Sequence, residues 1–255
     1  MNTPLLISED SFQNAWAKAI IALSQNNWEL WDMIINIRNP LILDQNIQEE
    51  MRQFAINHSD MIEPNKVAYT IFPFKLYRPG VTRERLHKGY WRYFKITRSM
   101  EHSGWGTYFE RMIRYPCPTG NIDQLGNIID NINNRSTNYG AAHVIIIPQP
   151  HRDINKIMGA PCLNYLTVQV ENPDHTDRKT ISLLAVYRNH DFRGRAYGNY
   201  LGLCMLLQYI AAETNSNLGK ITCISSRGDV PNDKRDLLKL ANSYLGQGRG
   251  SYDSV

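Results

Sequence analysis

The sequence is poor in the features that assign a chain quickly to a class. Its four cysteines include no C-x-x-C pair, which argues against a zinc site and a disulfide framework. No apolar run reaches the roughly 18–20 residues that span a bilayer, and residues 1–10 lack the basic and apolar regions of a signal peptide. We therefore expect a cytoplasmic protein with reduced thiols and no membrane partner.

The chain also carries little excess charge. The 28 Lys and Arg residues against 24 Asp and Glu residues leave a net charge of +4. This is too small for a dedicated nucleic-acid-binding face, and the scattered histidines form no metal-ligating pattern. A length of 255 residues with 42% apolar and 20% charged residues is typical of a globular protein. We expect neither a nucleic-acid partner nor a bound metal.

Hydrophobic periodicity predicts helices early in the chain and strands late. Helices are predicted at 8–24, 44–58, 82–96, 119–132 and 197–213. Strands are predicted at 33–37, 142–147, 163–170, 181–187 and 221–224. Residues 67–77 are apolar but contain Pro73, which predicts an irregular strand or loop.

The helix at 197–213 is apolar on all sides, so it belongs in the middle of a domain. Together these elements predict an α+β fold with a mixed or mostly antiparallel sheet and a buried central helix. We expect one domain over 1–245 and a flexible, polar tail over 246–255.

The first candidate for chemistry is Cys162, which ends the sequence Gly-Ala-Pro-Cys just before a predicted strand. Pro161 restricts its own backbone and that of Ala160, so the thiol occupies a fixed point at a loop edge. A cysteine becomes a nucleophile where nearby cations favour the thiolate. A small buried side chain is the more common role of a lone cysteine.

A second cluster runs from Tyr187 to Asp191 and continues to Asn199 in the apolar helix. Arg188 offers a planar guanidinium that suits a phosphate group. Burying Asn199 without partners costs about 1–3 kcal/mol. Its amide can be satisfied by the edge of a nucleobase or by nearby backbone, and the residues alone do not separate these alternatives.

These residues carry a resemblance to a known family. Residues 120–224 resemble the thymidylate synthase family, which includes the pyrimidine-nucleotide hydroxymethylases. The matching pieces are an Asp-Gln helix start, a Pro-Cys before a strand, a Tyr-Arg-x-x-Asp strand end, and an Asn in a long apolar helix. Three further stretches are similar to thymidylate-synthase-like bacterial proteins: TIFPFKLYRPG, WGTYFERMIRYP and AVYRNHDFRGRAYGNYLG. The resemblance implies a divergent part over 1–115 and a catalytic part over 116–245.

The resemblance implies a fold, a reaction and a set of site residues. The fold would be that of thymidylate synthase, assembled as a homodimer across its sheet. Cys162 would add to C6 of a pyrimidine nucleotide or nucleoside and make C5 nucleophilic. Arg188 would hold the phosphate, while Asp191, through its backbone, and Asn199 would read the pyrimidine edge. The one-carbon donor would be methylenetetrahydrofolate.

The sequence departs from the family pattern at several positions. Ala142-His143 stands where the family has a pair of arginines lent by the partner subunit, and Leu163 stands where a histidine follows the nucleophile. Residues 225–230 replace a segment that contacts the ribose. Candidates to replace the arginine pair are His151, Arg152, Arg193, Arg195 and Arg227, and candidates for the family's catalytic glutamate are Glu84, Glu101 and Glu110.

Three functions remain open at this stage. The first is methyl or hydroxymethyl transfer to C5 of a pyrimidine nucleotide or nucleoside. The second is the same chemistry on a modified or differently phosphorylated pyrimidine. The third is a non-catalytic nucleotide-binding dimer that retains the fold, although a pure binder has no need for the thiol.

Overall fold

The computed structural model describes residues 3–99, 105–134, 142–153, 159–171 and 178–247. The strands are β1 Leu5–Glu9, β2 Glu29–Ile37, β3 Tyr115–Cys117, β4 Gly120–Ile122, β5 His143–Ile146, β6 Leu163–Glu171, β7 Thr180–Tyr187, β8 His190–Asp191 and β9 Asn217–Asp229. The α-helices are α1 Phe12–Ser24, α2 Gln45–Asn57, α3 Pro64–Ile71, α4 Arg83–Ser99, α5 Tyr108–Ile113, α6 Gln124–Asn134, α7 Pro150–Asp153, α8 Ala196–Glu213 and α9 Lys234–Gln247. A 3-10 turn spans Phe74–Leu76.

One mixed sheet organises the described chain. Its strand order is β1-β2-β9-β7-β6-β5, and the short β8 extends the sheet beside the end of β9. The β1–β2, β9–β7 and β8–β9 pairs are parallel, and the other pairs of this sheet are antiparallel. The α+β expectation with a mixed sheet therefore agrees with the structure.

The two faces of the sheet differ in what covers them. Helices α1 and α8 pack on the inner face, and α3 and α9 pack in turn against these two helices. One cross-strand row on the inner face is buried throughout: Ile7, Ile35, Cys223, Ala185, Leu166 and Ile145. This face carries the hydrophobic core.

On the outer face, the neighbouring register positions form a second row that we call the outer row. Its members are apolar or aromatic and partly or fully exposed: Leu6, Ile34, Ile224, Val186, Tyr165 and Ile146. Leu6 is 66% exposed and Ile146 is 49% exposed at the two edge strands. Apolar residues on both faces are typical of a sheet that is covered on both sides.

The predicted central helix is confirmed as α8, which is buried along nearly its whole length. Two glycines allow α3 to cross it closely. A methyl group on Gly198 would lie 2.6 Å from Cβ of Val67, and one on Gly202 would lie 2.9 Å from the backbone oxygen of Ala68. Only glycine fits at such an approach, because real side chains do not tolerate these distances.

The prediction of a strand or loop at 67–77 is wrong, because most of this segment is α3 and the 3-10 turn. Pro64 occupies the first turn of α3, where its missing N–H removes no hydrogen bond. Pro73 follows the end of the helix instead of interrupting it. Packing on α8 outweighs the local preference of the β-branched and aromatic residues.

Other predicted elements are confirmed with shifted bounds. The first helix begins after the cap Ser11, whose hydroxyl accepts from Asn14 N–H, because residues 5–9 form β1. The helix predicted at 119–132 starts only at Gln124, and Ile122 is 37% exposed in the β3–β4 hairpin. The β3–β4 hairpin, the short helix α5 and the last helix α9 were not predicted. The predicted flexible tail is wrong at residues 246 and 247, which end helix α9, and residues 248–255 lie outside the described residues. The single-domain division stays a prediction.

Candidate active site

A cavity of about 130 Å³ lies where β6, β8 and α8 meet α3 and the start of α5. We call it the Cys162 cavity. It is lined by Cys162, Asp191 and Asn199, which were predicted as site residues, and by Arg195, which was named only as a candidate to replace the arginine pair. Trp105 and Tyr108 also line it and were not predicted. The structure therefore brings three of the four predicted site residues to one enclosed space.

Cys162 is held at the mouth of strand β6 by backbone and aromatic contacts. Its carbonyl oxygen accepts from the Arg188 N–H at 2.9 Å, and the next N–H, of Leu163, donates to the Tyr108 hydroxyl at 3.4 Å. Burial raises the pKa of the Cys162 thiol, and the positive charges of Arg188 and Arg195 oppose that rise. The thiol is therefore mainly protonated at neutral pH, with two cations ready to stabilise the thiolate.

Arg188 is the predicted residue that does not line this cavity. Its Nε donates to the carbonyl oxygen of Pro161 at 3.2 Å, and its Nη2 donates to that of Ala160 at 3.2 Å. The side chain lies in a shallow groove on the other side of this segment, together with Pro148 and Asn164. Arg188 thus braces the loop that carries Cys162, and its role toward a phosphate stays a prediction.

The arginines considered as replacements for the missing pair differ in whether their charges are already paired. The Arg193 guanidinium is 8% exposed and forms ion pairs with Asp60 and Asp233. Arg227 pairs with Glu29 and Asp229 in the same way.

Arg195 differs from these arginines, because it lines the Cys162 cavity. Its guanidinium has no hydrogen-bond or ion-pair partner within the described ranges. Its charge is therefore available to an anion in the cavity. Arg152 donates to the Gln149 side chain instead, and His151 is exposed on the short helix α7.

Asn199 is buried and contacts a second polar side chain of the cavity lining, His190. Its Nδ2 donates to Nε2 of His190 at 3.1 Å, and Nδ1 of His190 lies 3.0 Å from the Ser225 hydroxyl. Burial lowers the pKa of His190 to about 3, so its ring is neutral at physiological pH. The sequence left open whether Asn199 faces a ligand or is satisfied internally, and the structure shows that one end of its amide is held by His190.

Asp191 is fixed by the turn that leads into α8. Its Oδ1 accepts from the N–H groups of Arg193 and Gly194 at 2.9 and 3.0 Å. Burial raises the pKa of this carboxyl, and the two N–H donors oppose the rise. The carboxylate therefore shapes the turn from which Arg195 reaches the cavity.

A buried ion pair supports the aromatic wall of the cavity. Arg111 is fully buried, pairs with Asp153, and donates to the carbonyl oxygens of Ile147 (3.1 Å) and Trp105 (3.0 Å). Its guanidinium also lies 5.3 Å from the Trp105 ring centroid. Asp153 holds the Arg111 guanidinium in place, and Arg111 in turn holds Trp105 through its carbonyl oxygen and its ring. Removing either partner of the pair would leave an uncompensated buried charge.

The two candidate glutamates that the structure describes do not line the cavity. Glu84 is exposed on α4, and Glu110 forms a capping box with Thr107 at the start of α5. Glu101 lies outside the described residues. In the part of the chain that the structure describes, no group of three or more His, Cys, Asp or Glu side chains is arranged to hold a metal ion. Within the same ranges, no helix is both long and apolar enough to cross a bilayer.

Comparison with known proteins gives distant relatives of one kind. No family model matches the chain. It is 28% identical over 133 residues to a protein of Methanosarcina barkeri named "Putative thymidylate synthase", covering 52% of this chain and 56% of that protein. Proteins of the same name from Methanosarcina mazei and Methanococcoides burtonii are 26% and 27% identical, over 52% and 47% of this chain and 56% and 49% of theirs.

The chain thus spans about half the length of the curated relatives that it matches. These similarities support a distant, thymidylate-synthase-like relation.

Three side chains at the cavity went unrecognised for identifiable reasons. Trp105 and Tyr108 come from a segment that carries no predicted element, and nothing in their spacing points toward Cys162. His190 was noted only as part of the 187–191 cluster, because a lone histidine has no signal of its own. The pairing of β8 with β9, which aligns His190 with Gly228, brings this ring next to Ser225.

Proposed function

We propose that the protein transfers a one-carbon group to C5 of a pyrimidine nucleotide or nucleoside on a thymidylate-synthase-like fold. The observation that carries the proposal is the enclosure of Cys162, Asp191 and Asn199 in one small cavity. A nucleophile, a side-chain amide and a guanidinium around one space suit a flat polar ring with an anionic substituent.

The proposed chemistry follows from where the thiol lies. The Cys162 thiolate adds to C6, and the electron pair of the C5–C6 double bond moves toward C5 and O4. C5 then forms a bond to the carbon of the transferred group, the bond between that carbon and its carrier breaks so that the carrier leaves, and C5 loses its hydrogen as a proton. Departure of the thiolate from C6 restores the double bond and the enzyme. Arg188 and Arg195 support the thiolate electrostatically, which offsets part of the effect of burial.

Substrate recognition divides among the remaining residues. Asn199 is proposed to read the base edge, and Asp191 to contribute through the backbone of its turn. The resemblance assigns the phosphate to Arg188. We propose that Arg195 makes the anion contact within the cavity, because its guanidinium lines the space that holds the thiol.

The donor implied by the resemblance is methylenetetrahydrofolate. The Cys162 cavity, at about 130 Å³, is close to the roughly 150 Å³ of an engineered cavity that takes a benzene ring. The described residues thus enclose space for one pyrimidine ring and not for a two-ring pterin beside it. We derive no step through the folate.

A homodimer is proposed as the assembly. The outer row runs across the six strands from β1 to β5 in the sheet order without a charged residue, from Leu6 on β1 to Ile146 on β5. An exposed apolar patch of this extent marks an interaction surface. A second copy of the chain is the occupant that the resemblance implies.

The deciding experiment measures tritium release from C5-tritiated UMP, dUMP, CMP and dCMP, because it reports C5 activation without knowledge of the donor. A 5-fluoropyrimidine nucleotide should form a covalent adduct with the wild type and not with Cys162→Ser. Cys117→Ser is the matched control, since Cys117 lies in the β3–β4 hairpin away from the cavity. Tritium release or an adduct that survives in Cys162→Ser contradicts the proposal, and nucleotide binding without any release favours the non-catalytic dimer.

A further inference from the structure

His190 forms the centre of a buried chain of polar side chains that runs from Asn199, the proposed base-reading residue, to Ser225. It is 1% exposed, Ser225 is fully buried, and Asn199 is 4% exposed where it meets the cavity. The two ring nitrogens contact one partner each, Asn199 at Nε2 and Ser225 at Nδ1. The ring therefore connects a residue on the sheet to a residue on α8.

The ring of His190 is held in position by aromatic neighbours. It stacks on Tyr187 with a centroid distance of 4.1 Å and an interplanar angle of 5°, and Tyr200 meets its edge at 5.4 Å. A neutral imidazole has one donor and one acceptor nitrogen. Because Asn199 Nδ2 donates to Nε2, the proton of this imidazole is on Nδ1 and is donated to the Ser225 hydroxyl.

This arrangement leaves the other end of the Asn199 amide for the cavity. Oδ1 of Asn199 has no hydrogen-bond partner in the described part of the chain. Turning the amide over would place its carbonyl against Nε2. That requires the opposite tautomer of His190 and reversal of the bond to Ser225. The Ser225 hydroxyl also forms a hydrogen bond with the Cys223 side chain. With its proton directed there, its oxygen accepts from His190 and favours this tautomer, which couples the orientation of the amide to the hydroxyl on β9.

We propose that His190, held by Ser225, fixes the direction of the Asn199 amide and so makes the cavity selective between uracil and cytosine. The inference rests on the proposed function, since it concerns the base that this site would read. His190 also lines the cavity, but both of its ring nitrogens are engaged by Asn199 and Ser225. It is therefore a positioning residue, which acts on the base through Asn199.

The selectivity follows from the hydrogen-bonding edges of the two bases. Uracil presents an N3–H donor next to the O4 acceptor, whereas cytosine presents an N3 acceptor next to the N4 donors. Attack of Cys162 on C6 fixes the orientation of the ring, so the base cannot turn over to match a fixed amide. A mismatched base leaves buried polar groups unpaired, which corresponds to about 5- to 150-fold weaker binding.

The test compares Ser225→Ala with the control Ser182→Ala. The control also removes a buried serine hydroxyl, but elsewhere in the sheet, where Ser182 accepts from Lys220 N–H at 3.2 Å. Calorimetry would give the ratio of the Kd values for UMP and CMP. We expect a clear preference in the wild type and in Ser182→Ala. In Ser225→Ala the ratio should move toward one by at least about fivefold.

The decisive sign is that the disfavoured nucleotide binds more tightly to Ser225→Ala than to the wild type, since damage to the fold weakens both. His190→Phe retains an aromatic ring without nitrogens and should relax the ratio in the same way if Ser225→Ala does not fold. Unchanged ratios in both variants, or a wild type that does not distinguish the bases, would overturn the inference and leave the proposed function intact. A wild type that binds no pyrimidine nucleotide would overturn both.

Discussion

Replacing Arg195 should separate recognition of the phosphate from recognition of the base. Arg195 lines the Cys162 cavity, and its guanidinium has no hydrogen-bond or ion-pair partner among the described residues. A phosphate contact would therefore break no such bond, and would compete only with the electrostatic attraction of Arg195 to the Asp191 carboxyl. A charge-assisted contact is worth about 1.5–3 kcal/mol, which predicts a 10- to 150-fold loss of nucleotide affinity in Arg195→Ala. Affinity for the nucleoside should change little.

Arg188→Ala should behave differently, because Arg188 already donates to the carbonyls of Ala160 and Pro161. Its loss loosens the loop that carries Cys162 and should weaken nucleotide and nucleoside by similar factors. Calorimetry with UMP, CMP and their nucleosides would give the nucleoside-to-nucleotide ratio of Kd values for each variant. Arg85→Ala, on the exposed side of α4, is the control. If the nucleoside-to-nucleotide ratio of Kd values falls toward one in Arg188→Ala and stays unchanged in Arg195→Ala, Arg188 holds the phosphate and the reasoning for Arg195 is wrong.

Three further outcomes are expected. Burial raises the pKa of Cys162 against the effect of Arg195, so the rate of Cys162 alkylation by iodoacetamide should still increase beyond pH 8.5. The rate, measured by peptide mass spectrometry, should be lower in Arg195→Ala, and equal rates in the two proteins would contradict this. His190 has a pKa of about 3 when folded and about 6.5 when unfolded, so below pH 6.5 the unfolded state binds more protons. As the pH is lowered from 6.5 toward 3, this group should therefore reduce the free energy of unfolding by up to about 1.4 kcal/mol per pH unit. Urea titrations of His190→Phe at several pH values should not show this part of the pH dependence. Light scattering should give twice 29.4 kDa for the wild type and 29.4 kDa for Ile224→Asp in the outer row; a monomeric wild type at all concentrations would refute the dimer.

The sequence predicted the elements whose periodicity agrees with their tertiary surroundings. Helix α8 is apolar on every side and is buried on every side, so composition alone identified it. The prediction for residues 67–77 was wrong, because the contact of α3 with Gly198 and Gly202 is a long-range feature that no local pattern encodes. The hairpin β3–β4 was not predicted, because its strands are three residues long and too short for an alternating pattern to be visible.

The candidate site was predicted where a residue type and its neighbours suffice. Cys162 and Asn199 were chosen for a rigid loop and for a polar group in an apolar helix, and both line one cavity. Arg188 was chosen because it ends a strand, but strand position does not tell on which side of the loop a long side chain lies. Arg195 could only be distinguished from Arg193 once the carboxylates around each were located in three dimensions.

The position of β9 has a consequence for how the chain reaches its native state. This strand, Asn217–Asp229, comes late in the sequence, yet it lies between β2 at residues 29–37 and β7 at residues 180–187. Until it emerges during synthesis, two strands present unpaired edges and Ser225 is missing from behind the cavity. Such non-local pairing slows folding and prolongs exposure of edges that other chains can pair with. The nascent protein is therefore expected to depend on chaperones or rapid completion of translation, and truncation before residue 217 should give an aggregating product.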